Sequence, residues 1–427
     1  AGSVGLPVLS MGFDHTSTTF SGVIQDAGTA PLGLTKGGVG TQTLTGLNTY
    51  TGVTKIGNGV VSVATLTNGG ISSNIGAATN AASNLILNGG TLQYTGAAVS
   101  TDRLFMVGTA SGALDASGTG AVSFTNTGSM GYFGTGIRTL TLAGTNTGGN
   151  TIAAVIGDNS GATALTKSGA GTWVLTGTNT YSGVTTISGG VLTVSNLANG
   201  GGSSNIGASS SAATNLVLNG GTLRYSPGAA SAVSTDRLFS VGTSGGTIDA
   251  SSGFNINFTN SGSMGFNGQS GARTLTLTGN NANDNTLAAV IGDNGGATSV
   301  TKAGGGIWVL SGASTYTGVT TMSGTGVLKV SSLANGGSAS SIGASTNAAS
   351  NLVLNGGTFM YTGSTVSTDR LFSLGTSGAT LNVFGSGAVT FTNTGSMGFN
   401  GQTGARTLTL ANASGGTSTI AAVIGDN

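Results

Sequence analysis

The stretch Thr166–Val194 reads TKSGAGTWVLTGTNTYSGVTTISGGVLTV. Within it, the runs TWVLT, VTTI and VLTV, which begin at Thr172, Val184 and Val191, are rich in β-branched and aromatic residues and bounded by Gly, Asn and Ser. Runs of this length and composition, in which apolar and polar residues alternate, indicate half-buried β-strands. The stretch therefore predicts short strands joined by tight corners.

The same pattern occurs three times in the chain. Related stretches begin at Thr35 and Thr301, and the string Ser-Thr-Asp-Arg-Leu-Phe begins at Ser100, Ser234 and Ser367. Successive copies of such strings are offset by about 133 residues. Repetition at a fixed period is typical of extended arrays in which each unit packs on its neighbours. It argues against an enzyme with a single pocket.

Composition excludes several classes of protein. Glycine supplies 81 of the 427 residues but proline only three, without a Gly-X-Y period, so the chain is not collagen. The 12 basic and 11 acidic residues give a net charge of +1, which provides no field for a nucleic acid or an anionic membrane. No cysteine is present, which excludes disulfides and thiolate sites, and no apolar stretch approaches the ~20 residues of a membrane-spanning helix.

The spacing of the strand runs predicts a coil. They recur about every 7–12 residues, so three of them would make a turn of about 20–25 residues. We therefore predict an all-β fold, a parallel β-helix (β-solenoid) with three tandem units of about 133 residues. Residues 1–26 are assigned to an N-terminal junction and partial repeat, and residues 27–158, 159–293 and 294–427 to the three units of one continuous solenoid. With strands about 4.8 Å apart, the whole chain would rise about 90–100 Å.

Both ends of the chain fall at a similar phase of the repeat. Ala421–Asn427 matches Ala153–Asn159 and Ala288–Asn294, and a weaker copy lies at Ser21–Asp26. Repeat arrays need capping units at their ends, and none is evident in the sequence. The expectation is that this is a segment of a longer protein, or that another subunit continues the stack by self-association.

Thr166–Val194 closely resembles the autotransporter-associated β-strand repeat, also called the passenger-associated transport repeat. The copies at Thr35–Val63 and Thr301–Val330 depart from it modestly: Lys55 replaces a threonine, Ser314 replaces the asparagine, and the third copy has one extra residue near Thr325. The resemblance implies a right-handed parallel β-helix in a secreted or surface-exposed bacterial protein. Such repeats commonly form the stalks of adhesins and autotransporter passengers.

Charged residues recur in phase with the repeat. Each arginine of one set precedes an aspartate by about 20 residues, close to one turn of the coil. We therefore predict that they stack as ion pairs on adjacent turns; the pairs are Arg138 with Asp158, Arg273 with Asp293, and Arg406 with Asp426. The lysine that follows such an aspartate could join from a neighbouring corner; these lysines are Lys36, Lys167 and Lys302. Exposed pairs of this kind contribute under ~1 kcal/mol each.

A second charged set consists of adjacent residues, whose side chains face opposite sides of a strand. Its members are Asp102 with Arg103, Asp236 with Arg237, and Asp369 with Arg370. The favoured interpretation is a buried or lateral contact that orients a loop. The alternatives are a lateral interface between fibre subunits and a catalytic acid beside an apolar groove.

The sequence indicates a structural role outside the cell. We predict a segment of a long extracellular bacterial fibre, stalk or surface filament, with no enzymatic activity, metal or cofactor. An adhesin that binds a host surface or a glycan is the main alternative, and a β-helical carbohydrate-active enzyme is the third class, for which clustered carboxylates are missing. His15 is expected at the surface. Thr-x-Thr runs at Thr41 and Thr176 resemble ice-binding solenoids, but regular ranks over consecutive turns are not evident.

Overall fold

The computed structural model describes residues 6–227, 232–251, 253–413 and 415–426. Residues 1–5 of the predicted junction, and Asn427 of the terminal match, lie outside these ranges. The chain divides into two compact units: unit 1 comprises Ala1–Val194 and Gly201–Ser210, and unit 2 comprises Ser195–Gly200 and Ser211–Asn427. Each unit is a stack of short parallel strands, which confirms the predicted parallel β-solenoid.

Unit 1 consists of three parallel sheets and one short 3-10 turn at Ala82–Asn84. Its strands are β1 (Val8–Met11), β2 (Thr18–Phe20), β3 (Gly33–Lys36), β4 (Thr41–Leu44), β5 (Thr54–Ile56), β6 (Gly59–Val63), β7 (Leu85–Leu87), β8 (Gly90–Tyr94), β9 (Val99–Thr101), β10 (Met106–Gly108), β11 (Gly112–Ala116), β12 (Val122–Phe124), β13 (Gly131–Phe133), β14 (Arg138–Ala143), β15 (Asn150–Ile152), β16 (Thr163–Lys167), β17 (Thr172–Leu175), β18 (Thr185–Ile187) and β19 (Val191–Val194). Within the unit the sheets run β1-β3-β5-β7-β10-β13, β2-β4-β6-β8-β11-β14-β16-β18 and β9-β12-β15-β17-β19.

Unit 2 has the same construction, with 3-10 turns at Ala213–Asn215 and Ala349–Asn351. Its strands are β20 (Leu216–Leu218), β21 (Thr222–Tyr225), β22 (Val233–Thr235), β23 (Ser240–Val241), β24 (Gly246–Asp249), β25 (Ile256–Phe258), β26 (Arg273–Thr278), β27 (Asp284–Leu287), β28 (Thr298–Lys302), β29 (Ile307–Leu310), β30 (Thr320–Ser323), β31 (Val327–Val330), β32 (Leu352–Asn355), β33 (Thr358–Tyr361), β34 (Val366–Thr368), β35 (Ser373–Leu374), β36 (Ala379–Val383), β37 (Val389–Phe391), β38 (Leu408–Asn412) and β39 (Thr419–Ile420). Within the unit they run β20-β23, β21-β24-β26-β28-β30-β32-β35, β22-β25-β27-β29-β31-β33-β36-β38 and β34-β37-β39.

The turns of the coil, or rungs, differ in length. Leu165 pairs with Thr185, and Arg138 pairs with Thr163. These two rungs match the prediction of about 20–25 residues per turn. Val60, however, pairs with Thr91 across a distinctly longer rung, which lies outside the predicted range of about 20–25 residues. The longer rung contains the loop 64–81 and the 3-10 turn that follows it.

Alternation along many of the strands places every second side chain in the core. In β14 Leu140 and Leu142 are buried, while Thr139 and Thr141 are half-exposed. The two tryptophans, Trp173 and Trp308, are fully buried, and their indole N–H groups donate to the carbonyl oxygens of Ala143 (2.7 Å) and Thr278 (2.9 Å). Large aromatic side chains and aliphatic rows thus share a narrow interior.

Corners bring the backbones of successive rungs very close. Gly169 has a φ of +67°, and a Cβ at this position would lie 2.5 Å from the carbonyl oxygen of Gly144. Only glycine accommodates both the left-handed backbone and this approach. Gly169 is therefore an ordered residue at one of the tight corners predicted between the strands.

Candidate functional site

A buried arginine beneath a loop makes many hydrogen bonds in each copy of the repeat. Arg103 is 3% exposed and lies under the loop 66–80. Its Nε donates to the carbonyl oxygen of Thr67 (2.9 Å), its Nη1 to that of Ala78 (3.0 Å) and its Nη2 to that of Gly76 (2.9 Å). The rigid fork of guanidinium donors therefore holds both ends of one loop.

The neighbouring aspartate binds the same loop from its outer side. The Asp102 carboxylate accepts hydrogen bonds from the backbone N–H of Gly69 (2.7 Å) and from Nδ2 of Asn80 (3.0 Å). The backbone N–H of Asp102 in turn donates to Oδ1 of Asn68 (3.0 Å). Together, Asp102 and Arg103 attach an irregular loop to a regular strand.

Unit 2 repeats this arrangement twice. Nε of Arg370 donates to the carbonyl oxygen of Ala334 (2.9 Å) and Nη2 to that of Gly343 (2.9 Å), while Asp369 accepts from the N–H of Gly336 (2.7 Å). In the second copy Nε of Arg237 donates to Ala198 (2.9 Å) and Asp236 accepts from the N–H of Gly200 (2.6 Å). In all three copies, therefore, an aspartate and the arginine after it bind the equivalent loop.

These arginines are buried cations that donate mainly to carbonyl oxygens. Burial lowers the pKa of Arg103 and Arg370, but arginine stays protonated in proteins. The charge is balanced by carbonyl dipoles, and for Arg370 also by Oγ of Ser345 at 2.9 Å from Nη1. Such a group orients the backbone, and its N–H donors are directed at the loop rather than at a substrate.

The predicted ion pairs between Arg138 and Asp158, and between their equivalents, are wrong. Among the described residues the ion pairs are Arg224–Asp249 (2.8 Å) and Lys329–Asp284 (2.7 Å). The prediction assumed that one rung separates Arg138 from Asp158, but the rung is longer, and the register partner of Arg138 is Thr163. The arginine and the aspartate consequently have different partners.

Each arginine of this set binds a corner; Arg138 and Arg273 are buried, and Arg406 is half-exposed. Nη1 of Arg138 donates to the carbonyl oxygen of Val107 (2.7 Å) and Nη2 to that of Gly136 (2.9 Å). Its guanidinium carbon lies 5.0 Å from the ring centroid of Tyr132. The same contacts recur at Arg273, with the Phe266 ring at 4.9 Å, and at Arg406, with the Phe399 ring at 4.7 Å.

Asp158 and Asp293 each link their own turn to the next rung. Asp158 accepts from the N–H groups of Thr163 (2.7 Å) and Ser182 (3.0 Å). Asp293 accepts from the N–H groups of Thr298 (2.7 Å) and Thr317 (2.9 Å). At Asp26 the same bonds lower the pKa of the carboxyl group. Asp426 is exposed at the surface.

Three lysines are buried, which sequence reasoning did not foresee. Lys36, Lys167 and Lys302 are at most 1% exposed. Nζ of Lys167 donates to the carbonyl oxygens of Ser168 (2.6 Å), Gly169 (2.9 Å) and Gly189 (3.0 Å). Burial lowers the pKa of Lys167 and Lys302 to about 8. The sequence held a signal for this burial, since in each copy the lysine follows a threonine and precedes a glycine corner. Because side chains alternate along a strand, this lysine lies on the same face as the buried residue two positions before it.

Threonine ranks, which were not evident in the sequence, are present in the structure. In unit 2 five half-exposed threonines pair in register on consecutive strands; they are Thr222, Thr247, Thr276, Thr301 and Thr321. A shorter rank in unit 1 comprises Thr141, Thr166 and Thr186. Unequal rung lengths concealed these ranks, because the spacing between aligned threonines changes from one rung to the next.

Other candidate sites are sparse. His15 is exposed, as predicted, and its Nδ1 accepts from the N–H of Val39 (3.2 Å). Within the described ranges no group of three or more His, Asp or Glu side chains is placed to hold a metal ion. No helix in the described part of the chain has the length and apolar character required to cross a membrane.

Comparison with known proteins supports the predicted resemblance. The family described as Passenger-associated-transport-repeat matches residues 34–63, 165–194 and 300–330. The chain is 42% identical over 462 aligned positions to the protein named Adhesin BmaC autotransporter from Brucella suis biovar 1 (strain 1330). The match covers 90% of this chain but 13% of that relative. No solved structure shows significant similarity.

The matched segments coincide with the strands that carry the buried lysines and tryptophans. They include β3 to β6, β16 to β19 and β28 to β31. The relative is named as an adhesin and is bacterial. The chain is therefore a bacterial extracellular or cell-surface protein that carries three passenger-associated transport repeats.

Proposed function

We propose that this chain is a structural segment, a stalk or fibre part, of a bacterial surface adhesin, and that it has no enzymatic activity. The observation that carries the proposal is the use of its charged side chains. At equivalent positions in successive copies, arginines, aspartates and lysines bind backbone of the same coil rather than line a cleft. Charged side chains used in this way stabilise the coil, as a spacer needs, whereas a catalytic site needs charged side chains that can reach a substrate.

The proposal includes the continuous solenoid predicted from the repeat. A sheet of eight strands extends about 34 Å along its stack at 4.8 Å per strand, as in β22-β25-β27-β29-β31-β33-β36-β38. If the three copies form one solenoid, the chain is a rod of about 90–100 Å. Its low charge leaves self-association unopposed by repulsion, so copies can also assemble laterally or end to end.

Electron microscopy and small-angle X-ray scattering of the purified chain test this function. The expected result is a rod of about 90–100 Å with uniform thickness, together with slow cleavage by proteases. A compact particle, or rapid cleavage between strands, would contradict the stalk. Turnover of polysaccharides by this chain would contradict the absence of enzymatic activity.

Direct adhesion is the second candidate, and the printed name of the relative favours it. In that case repeated lateral patches of the solenoid bind a surface. The test is attachment of beads coated with this chain to host cells, with beads coated with an unrelated β-solenoid as control. If the beads attach no better than the control beads, direct adhesion is refuted and only the spacer function is supported.

A further inference from the structure

We propose that an open groove on unit 2 binds a linear, neutral polysaccharide. The groove is lined by hydroxyl side chains of four successive rungs, which are Thr325, Thr358, Ser377, Thr380, Thr407 and Thr409. This inference goes beyond the stalk function and does not depend on it.

The groove runs along the stack of strands. Thr358 pairs with Thr380, and Thr380 pairs with Thr409, on the consecutive strands β33, β36 and β38. Thr325 belongs to the rung before, because the N–H of Thr358 donates to the carbonyl oxygen of the adjacent Gly326 (2.9 Å). Hydroxyl groups are therefore repeated about every 4.8 Å along one line. A polymer with a regular repeat of hydroxyl groups complements such a line.

The hydroxyl groups of the groove are available to a ligand. Within the described residues, none of these six side-chain hydroxyls has a hydrogen bond to another protein group. Thr325, Ser377, Thr407 and Thr409 are exposed, and the other two are half-exposed. A threonine or serine hydroxyl both donates and accepts, as a sugar hydroxyl does. The pairing therefore needs no particular orientation of the polysaccharide.

Two glycines form part of the floor of the groove. A Cβ on Gly357 would lie 2.2 Å from the carbonyl oxygen of Gly326, and one on Gly378 would lie 2.6 Å from that of Thr407. Both glycines have φ near +65°. These positions cannot carry a side chain without displacing the neighbouring rung, so the floor stays open while the threonines form the walls.

The insertion in the third repeat contributes one wall. The corner reads Ser-Gly-Thr-Gly at Ser323–Gly326, one residue longer than Ser-Gly-Gly at Ser188–Gly190 in the second copy. The extra residue places the exposed Thr325 beside the first rung of the groove. The one departure in length among the three passenger-associated transport repeats thus coincides with the candidate site.

The chemistry of the lining selects the ligand class. Of the described residues that line the groove, none is charged and none is aromatic. A carboxylated or sulfated polymer would find no cation here, and an apolar ligand would leave the hydroxyls unpaired on binding. A neutral polysaccharide satisfies them. Affinity at one site is then low, and the equivalent Thr222, Thr247 and Thr276 of the second copy provide additional contacts on a long polymer.

NMR titration of the full chain, with its threonine methyl groups labelled, tests the proposal. The probes are cellohexaose and chitohexaose, and a heparin hexasaccharide is the charged comparison. We expect shifts of the Thr358, Thr380 and Thr409 signals with at least one neutral probe and none with heparin. Thr358→Val and Thr380→Val keep the side-chain shape, and each should weaken binding about 3- to 10-fold because one hydrogen bond is lost.

Thr286→Val is the matched control, since Thr286 is a half-exposed threonine of the same sheet outside the groove. It should leave the affinity unchanged. The proposal is overturned if neither neutral probe shifts the groove signals, if heparin shifts them equally, or if the double variant T358V/T380V binds as tightly as the unmodified chain. None of these results would bear on the length or rigidity of the rod.

Discussion

Asp369 and Arg370 are adjacent in the chain and hold the same loop from opposite sides. Arg370 donates from below to the carbonyl oxygens of Ala334 and Gly343, each at 2.9 Å. Asp369 accepts the N–H of Gly336 at 2.7 Å from the outer side. Adjacent side chains of an extended segment face opposite ways, so two neighbouring residues can enclose a loop. The same relationship occurs at Asp102 and Arg103.

Replacing the buried guanidinium should open the loop. In Arg370→Met the carbonyl oxygens of Ala334 and Gly343 each lose a charged donor, although each keeps a hydroxyl donor at 2.9 Å, from Thr368 and Ser340 respectively. A hydrogen bond to a charged group contributes about 1.5–3 kcal/mol. We expect the free energy of unfolding to fall by about 3 kcal/mol. Urea denaturation measures this change, and hydrogen–deuterium exchange across residues 334–347 shows where it occurs.

Lys329→Met is the control for that variant. Lys329 forms an ion pair with Asp284 at 2.7 Å, and the Asp284 side chain is 51% exposed. Exposed pairs contribute under about 1 kcal/mol. Equal losses of stability in the two variants would show that the buried arginine does not hold the loop.

Removing the aspartate should have a smaller and more local effect. Asp369→Ala deletes the bonds to the N–H of Gly336 and to Nδ2 of Asn347 (3.1 Å). We expect a loss of about 1–2 kcal/mol, since these bonds involve a charged acceptor at a partly exposed site. Asn347→Ala deletes one of the two bonds and should cost about half as much. Unchanged exchange at Gly336 in the Asp369 variant would refute the anchor.

The buried lysines should make stability depend on alkaline pH. Burial lowers the pKa of Lys167 and Lys302 to about 8, from 10.5 when exposed. Between these values the unfolded chain binds more protons at these lysines than the folded chain, so their contribution to the free energy of unfolding rises as the pH increases from about 8 to about 10.5. Burial raises the pKa of Tyr50 and Tyr316, which opposes this rise as the pH approaches 10. Urea denaturation at pH 7, 8, 9 and 10 gives the slope.

The variants Lys167→Met and Lys302→Met show whether these residues cause that slope. Each single variant should reduce it by a similar amount, and the double variant should remove most of it. A slope that persists in the double variant would assign the pH dependence to other groups.

The tryptophans report on the two units separately. The chain has two tryptophans, Trp173 in unit 1 and Trp308 in unit 2, both fully buried. In W173F and W308F the remaining indole reports the unfolding of one unit by its fluorescence. If the three copies form one continuous solenoid, the two transitions should share a midpoint in urea, because neighbouring rungs unfold cooperatively. Two separate midpoints would indicate that the units fold independently.

Much of the fold was predictable from local sequence. Alternation in stretches such as Arg138–Ala143 indicates strands, glycine and asparagine indicate corners, and threefold repetition indicates stacking. These signals are local, because a strand's period of two and a corner's positive φ depend on a few neighbouring residues. The structural interpretation of Asp102 and Arg103 followed from the same alternation.

Side-chain partners were less predictable, since they depend on register. Arg138 and Asp158 seemed one rung apart, yet the rung that begins at Arg138 extends to Thr163. The additional length moves the aspartate to a corner, where it binds the N–H groups of Thr163 and Ser182. The register is set by how each loop closes the coil.

The sequence by itself determined the parallel β-solenoid and the three repeats of this protein, because their signals are periodic and survive any variation in rung length. The surface location was implied by the resemblance of Thr166–Val194 to the passenger-associated transport repeat. Only the tertiary structure decided that Lys167 is buried under carbonyl oxygens, that Thr222 to Thr321 form a rank, and that Thr325 borders a groove. Each of these requires residues of different rungs to meet, and their separation along the chain is set by the closure of every rung between them.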